Sequence, residues 1–356
     1  FDSRTSAWSS LPPMNLGRWY PTATTLTNGE VLAISGFVTP ELKNNVPQVW
    51  QVSGGWRTLL GAVNEVPLYP WTFATAKGQA YMAGPNQVTR FLNPSGAGKW
   101  KAGPSSLWGT RIDGTSAMYE EGRILIAGGG RTFATATAEI IDLHAATPAW
   151  HAVAPMAFAR RHFNSTILAD GEVLVTGGSA YANDTTQAVL PAEIWNPQTE
   201  SWTTVAPLAE RRLYHSTAVL LPDGRVLVAG GGASGKGDTD HLNAQIYSPP
   251  YLFAADGHPA VRPVISAAPA SVGYGAKFVV ETPDHARIAR VNWIRLSSVT
   301  HSYNMNQRLN HLVFTEVRKG VKVTAPIRDQ APPGDYLLFL LDASGVPSVG
   351  RVVHLG

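Results

Sequence analysis

At 356 residues the chain exceeds the usual size of one domain, so a large architecture plus a smaller module is expected. Charged residues make up 15%, below the roughly 25% of soluble domains, while Gly (34), Pro (26) and Trp (11) are plentiful, the composition of a turn-rich all-β protein. The net charge of +3, with no Lys/Arg cluster interleaved with aromatics, argues against nucleic acid; no apolar run reaches the roughly 18 residues of a bilayer span; and the lack of cysteine removes disulfides, zinc–thiolate sites and thiol catalysis from these residues.

The opening residues, FDSRTSAW, are neither a signal peptide nor an anchor. From Arg18 onward a unit recurs about every 45 to 50 residues, in five copies. The cores are RWYPTATTLTNGEVLAISG (Arg18 to Gly36), LYPWTFATAKGQAYMAG (Leu68 to Gly84), RIDGTSAMYEEGRILIAGG (Arg111 to Gly129), RRHFNSTILADGEVLVTGG (from Arg160) and RRLYHSTAVLLPDGRVLVAGGG (Arg211 to Gly232). Each alternates apolar and polar residues and ends in glycine. Several reverse at a two-residue turn such as Asn28-Gly29, Asp170-Gly171 or Asp223-Gly224, which predicts a β-hairpin. A Trp recurs in phase, at Trp8, Trp56, Trp100, Trp150 and Trp202, placed to bury its ring against the neighbouring unit of a radial stack.

Units of this length with paired glycines and a spaced Trp resemble kelch blades of a β-propeller, here assigned to residues 1–247. FDSRTSAW then reads as the last strand of a blade whose earlier strands are absent, so the chain is expected to begin in mid-blade. Residues 248–260 read as a Pro/Ala-rich linker. Residues 261–356 carry short alternating strands (KFVVETP, RVNWIRL, HLVFTEV, GVKVTAP, DYLLFLLDASG, GRVVHL), the pattern of an immunoglobulin-like β-sandwich.

Counting two residues on from Arg18, Arg111, Arg160 and Arg212 gives Tyr20, Asp113, His162 and Tyr214, and alignment adds Tyr69. Inner strands of a propeller start at the rim of the central channel, so these polar groups are expected around the axis, with His215 adjacent. Each alone reads as a packing residue; the aligned set points to a site. In the last domain SSVTHSYNMNQR (Ser297 to Arg308) gathers His301 with Thr300, Asn304, Asn306, Gln307 and Arg308. It is either a polar loop of the sandwich or a loop reaching into the axis to deliver His301.

RWYPT, RRLYHS, the connection QIYSPPYLF and VTHSYNMNQR together resemble the copper radical oxidases, the family of galactose oxidase and glyoxal oxidase, over nearly the whole chain. The resemblance implies a seven-bladed kelch-type propeller followed by the sandwich. It also implies one Cu(II) on the axis bound by Tyr20, Tyr214, His215 and His301. Tyr20 would be the radical tyrosine, joined through a thioether to a cysteine, and Tyr214 the axial tyrosine that takes the substrate proton. A primary alcohol, small aldehyde or carbohydrate would be oxidised while O2 is reduced to hydrogen peroxide, by a secreted or extracytoplasmic protein. Imidazole nitrogen and phenolate oxygen suit Cu(II) in a tetragonal field.

The chain departs from that pattern in having no cysteine. The expectation is that this cysteine lies upstream of Phe1, in a missing segment or chain that completes the propeller; loss of the cross-link is the alternative. The aromatic that stacks on the radical tyrosine in galactose oxidase corresponds here to Val38, preceded by Phe37, which leaves Trp71 and Trp108 as candidates. Asp113 and His162 are further candidates for substrate contact or support of the ligands. Two other readings stay open: a non-catalytic propeller presenting loops to a glycan or protein, and a copper site without a radical.

Overall fold

Each repeat core opens into an antiparallel meander. The computed structural model describes residues 2, 5–232 and 239–356. Four of its sheets have four strands in sequential order: Thr22–Thr25, Val31–Ile34, Gln48–Trp50 and Trp56–Thr58; Trp71–Ala74, Ala80–Gly84, Val88–Asn93 and Lys99–Ser105; Thr115–Glu120, Arg123–Ala127, Ala138–Asp142 and Trp150–Val153; Arg161–Ile167, Val173–Ser179, Pro191–Asn196 and Ser201–Pro207. A fifth has three: Ser216–Leu220, Val226–Gly230 and Ala244–Tyr247. The described residues thus form five blade-like sheets, one per core, against the seven that the resemblance implies. Their only helices are short 3-10 turns, and none is long and apolar enough to cross a membrane.

The hairpin turns differ from the two-residue form expected. Leu26 N donates to Glu30 O (2.8 Å), Leu168 N to Glu172 O (2.8 Å) and Leu221 N to Arg225 O (2.8 Å), enclosing three residues each time. The third is Gly29, Gly171 or Gly224, at φ of 88°, 98° and 83°, where a left-handed residue closes a three-residue loop. The middle Asn or Asp caps it, its Oδ1 accepting the N–H two residues on at 3.0–3.1 Å.

Burial grades outward along a blade. Both inner strands of the fourth sheet are buried at every position, whereas Ser201–Pro207 at its outer edge is half exposed or exposed. Inner strands of neighbouring blades touch through hydroxyls and amides: Thr24 with Thr72 (2.5 Å), Thr115 with Ser165 (2.7 Å), Asn164 with Ser216 (2.8 Å). Three of the phased tryptophans tie their blade to the connection entering it, Trp56 donating to Pro12 O (2.9 Å), Trp100 to Ala62 O (2.8 Å) and Trp202 to Ala154 O (2.8 Å). Trp8 does not bury its ring as expected; it is 83% exposed. The strand expected over residues 1–8 falls partly on Phe1, Ser3 and Arg4, which lie outside the described residues, and Asp2 and Ala7 form only an isolated bridge.

The last domain is a two-sheet sandwich, with five strands in the order Ser271–Val272, Arg351–Leu355, Gly334–Asp342, Ile288–Arg295 and Leu309–His311, facing Lys277–Glu281, Gly320–Thr324 and Phe314–Val317. Strand Gly334–Asp342 is buried on both sides. Tyr336, Leu338 and Leu340 enter the sandwich core, while Leu337, Phe339 and Leu341 join Ile167, Leu168 and Leu220 of the propeller. The period-2 alternation of one strand therefore fuses the two domains.

From this base the Ser297 to Arg308 loop enters the propeller. Tyr303 Oη donates to Thr72 O (2.7 Å), Arg308 Nη1 to Ala74 O (3.0 Å), and Gln307 bonds both N and O of Ile167 (2.8 and 3.1 Å). Tyr303 is fully buried among Trp71, Phe73 and Met118, between the second and third blades. Of the two readings of this loop, the axial one describes its path.

Candidate metal centre

Each blade delivers one side chain to the axis by the same device. Tyr20 (φ 65°), Tyr69 (44°), Asp113 (55°) and His215 (63°) sit in the left-handed region just before an inner strand, and His162 (57°) adopts it at the second residue of one. Non-glycine residues rarely adopt it, and five at equivalent positions mark a conformation imposed by the surrounding fold. In four of the five cores, the second excepted, an arginine holds this strand entry. Arg18 donates to Ser35 O (2.9 Å), Arg111 to Gly128 O (2.9 Å), Arg160 to Gly177 O (3.1 Å) and Arg212 to Gly230 O (2.7 Å), pinning the strand entry to the residue that opens the glycine pair or its counterpart.

Register corrects one alignment. Thr22 pairs with Ile34, Thr115 with Ala127, Asn164 with Thr176 and Thr217 with Ala229, each partner directly preceding that glycine-pair position. Two residues back lie Tyr20, Asp113, His162 and His215. His215, not Tyr214, is the rim residue of the fifth blade; Tyr214 is one extra residue between Arg212 and the rim. The insertion explains how one blade presents two groups, with ring centroids 3.8 Å apart.

The four expected ligand residues converge. Tyr20 Oη lies 2.8 Å from Tyr214 Oη, and His215 Nε2 lies 2.9 Å from His301 Nε2. The His301 ring is 4.4 Å from that of Tyr20 and 5.2 Å from that of Tyr214. Around them, Tyr69 stacks on His301 (4.4 Å, 23°), and His162 meets Tyr214 edge-on at 5.3 Å. Asp113 Oδ2 is paired with Arg161 and lies 3.3 Å from His162 Nε2.

The aromatic stacked on Tyr20 is Trp19, its direct neighbour, at 3.4 Å and 12°. In an extended strand adjacent side chains point apart; the left-handed turn at Tyr20 brings the two rings together. Backbone bonds between Trp19 and Phe37 (2.7 and 2.8 Å) hold the indole. Trp71 and Trp108, the expected candidates, do not take this place. Trp71 is buried against Gly84, and the Trp108 N–H donates to Glu139 (2.9 Å) with its ring 45% exposed.

Burial, and next the charge of His215, lower the His301 imidazole to about 4; burial lowers His215 as well. Both rings are therefore neutral near pH 7, with lone pairs available. Thr300 Oγ1 lies 2.6 Å from His301 Nδ1 and the Gly232 backbone bonds the His215 ring, so each imidazole is oriented through a contact other than the one between the two Nε2 atoms. Burial, then the hydrogen bond shared with Tyr20, push the Tyr214 phenol well above its usual range. Among the described residues no three His, Cys, Asp or Glu gather as a metal group, so a cation here would rest on two imidazoles and two phenols. Two neutral nitrogens 2.9 Å apart beside two phenol oxygens are a donor set that fits Cu(II). Next to it opens a cavity of about 300 Å³ lined by Tyr20, Tyr69, Trp71, Asp113, Tyr214 and His301, with Pro67, Leu68, Pro85 and Ile112.

Residues 262–355 match the galactose oxidase-like early set domain family, and residues 131–251 match the glyoxal oxidase N-terminus family. The chain is 30% identical to a galactose oxidase of Gibberella zeae, over 100% of this chain and 57% of the relative. It is 27% identical to the Arabidopsis thaliana aldehyde oxidase GLOX1, over 95% of this chain and 63% of the relative. It thus spans about three fifths of the curated relatives it first matches. Among solved structures it resembles a fungal alcohol oxidase of the AA5 family in complex with copper, with a TM-score of 0.89 and 27% identity, over 99% of this chain and 79% of the other. Two family matches covering different domains, and a shared fold along the whole length, make this chain similar to galactose oxidases and glyoxal oxidases in both its propeller and its sandwich.

Proposed function

We propose that the chain forms the copper-binding body of a radical oxidase that converts a primary alcohol or small aldehyde to the aldehyde or acid, with reduction of O2 to H2O2. The observation that carries this reading is the convergence of Tyr20, Tyr214, His215 and His301 on one point of the axis. His215 and His301 would hold copper through Nε2, with Tyr20 and Tyr214 supplying oxygen.

Two electrons and two protons leave the alcohol, or the hydrate that the aldehyde forms with water, and together reduce one O2 to H2O2. Bound copper supplies one oxidising equivalent and a binding position for oxygen donors. The chain's residues supply the rest. Tyr20, in its one-electron-oxidised form, takes a hydrogen atom from the substrate carbon. Tyr214, beside the cavity, would take the hydroxyl proton as general base in its ionised form, which a bound cation would favour over the phenol that burial otherwise preserves. Trp19 covers one face of the Tyr20 ring and keeps solvent from it. A thioether at Tyr20 would need a cysteine, and these 356 residues contain none. Peroxide as product suits an extracytoplasmic setting.

The test is equilibrium dialysis against Cu(II), then a peroxide assay with glycolaldehyde, glyoxal and galactose. One copper per chain, lost in His301→Ala, is the expected result; a folded protein that takes up no copper refutes the reading. The missing cysteine favours a second reading, copper without a radical. Electron paramagnetic resonance separates them: after oxidant a coupled radical silences the Cu(II) signal, whereas an unmodified Tyr20 leaves it intact.

A further inference from the structure

The cavity beside the four converging residues has one charged group on its wall. Asp113 stands among Leu68, Trp71, Pro85 and Ile112, and the cavity, about 300 Å³, is at the small end of ligand sites. Its Oδ2 is occupied, paired with Arg161 and 3.3 Å from His162. Arg161 is itself buried, its side chain 6% exposed, and also donates to Arg131 O, while the Asp113 side chain is 27% exposed. The cation therefore lies behind the carboxylate, and the carboxylate is the accessible member of the pair. Among the described hydrogen bonds Oδ1 takes part in none. An acceptor-only group in an otherwise aromatic and apolar pocket is satisfied by a ligand that brings a donor, and left unpaired by one that does not.

We propose that Asp113 is a specificity residue that accepts a hydrogen bond from a second hydroxyl of the substrate, so that the site takes vicinal hydroxy-aldehydes and diols ahead of monohydric alcohols and turns away carboxylates. This rests on the reading that the cavity is where substrate sits. The left-handed backbone at Asp113 (φ 55°) restricts the position to residues tolerating it, which makes Asn and Gly the informative replacements.

The probe is saturation-transfer NMR on the metal-free protein with 1,2-propanediol, 1-propanol and lactate. The wild type is expected to bind the diol about tenfold better than 1-propanol, the size of one hydrogen bond to a charged acceptor, and lactate least. Asp113→Gly abolishes the diol preference; Asp113→Asn, which keeps an acceptor without charge, restores lactate binding. Thermal unfolding checks that both variants fold, and either one suffices. A diol preference that persists in Asp113→Gly, or lactate exclusion that persists in Asp113→Asn, overturns the proposal. The reading it rests on fails separately: a copper-loaded wild type that yields no peroxide, while metal-free selectivity still depends on Asp113, removes the oxidase and leaves the recognition residue.

Discussion

The Tyr214 hydroxyl lies 2.8 Å from that of Tyr20, across 194 residues of sequence. One phenol sits on the rim of the first blade and the other is the inserted residue of the fifth, so their meeting depends on the blades curving into a common axis. The imidazoles meet each other separately, through Nε2 atoms 2.9 Å apart, so the loss of one phenol leaves both nitrogen donors in place. Tyr214→Phe is expected to retain one copper per chain while kcat falls by about 10²–10⁴, the usual worth of a general base. Metal analysis alongside turnover checks this, and parallel loss of copper and turnover contradicts the division of roles.

Trp19 holds its ring on Tyr20 at 3.4 Å while remaining 55% exposed. Trp19→Ala is expected to cost only about 1 kcal/mol of stability, the worth of an aromatic pair. The oxidised Tyr20, open to solvent, decays several-fold faster. Chemical denaturation and the lifetime of the radical absorbance measure the two effects.

Five cores, their glycine-closed hairpins and the sandwich strands were legible because alternation and turn chemistry are local. His215, Tyr214 and His301 were legible as polar residues out of keeping with strand interiors. The rim register of the fifth blade was not, because counting from Arg212 cannot show that one residue has been added before the strand; only the pairing of Thr217 with Ala229 does. Trp19 was missed for a related reason. Two consecutive aromatics in a strand point to opposite faces, and only the left-handed φ at Tyr20 turns them together. The string RWY held the cue, a Trp beside a rim tyrosine.

The arginines that set the rim also set stability. Arg160 and Glu193 are both 0% exposed and 2.6 Å apart, and the other Glu193 oxygen accepts from Ala157 N (2.6 Å). Replacing one partner leaves an uncompensated buried charge, so Glu193→Gln should cost about 3–5 kcal/mol. Glu120→Gln, at the exposed pair with Arg123, should cost less than about 1 kcal/mol. Urea unfolding of the two variants compares them directly.

Burial, and then the charge of Glu172, raise the Asp170 carboxyl to about 7. Between about pH 4 and pH 7 the folded state holds a proton that the unfolded state has released. Stability from this group is therefore full at low pH and declines as pH rises through that window. Asp170 is partly exposed, so the decline is discounted to on the order of 1–2 kcal/mol. Asp170→Asn should flatten this part of the curve; an unchanged pH profile of the urea midpoint would contradict it.

The loop that carries His301 also sets a sequence in time. It reaches the second blade through Tyr303 and Arg308, contacts that span 231 and 234 residues of chain. During synthesis the five blades emerge before this loop, and a nascent chain that stops short of His301 offers His215 and two phenols without the His301 imidazole. On the proposed ligand set, metal capture would wait until the sandwich domain has docked, which would make the centre a reporter of that docking.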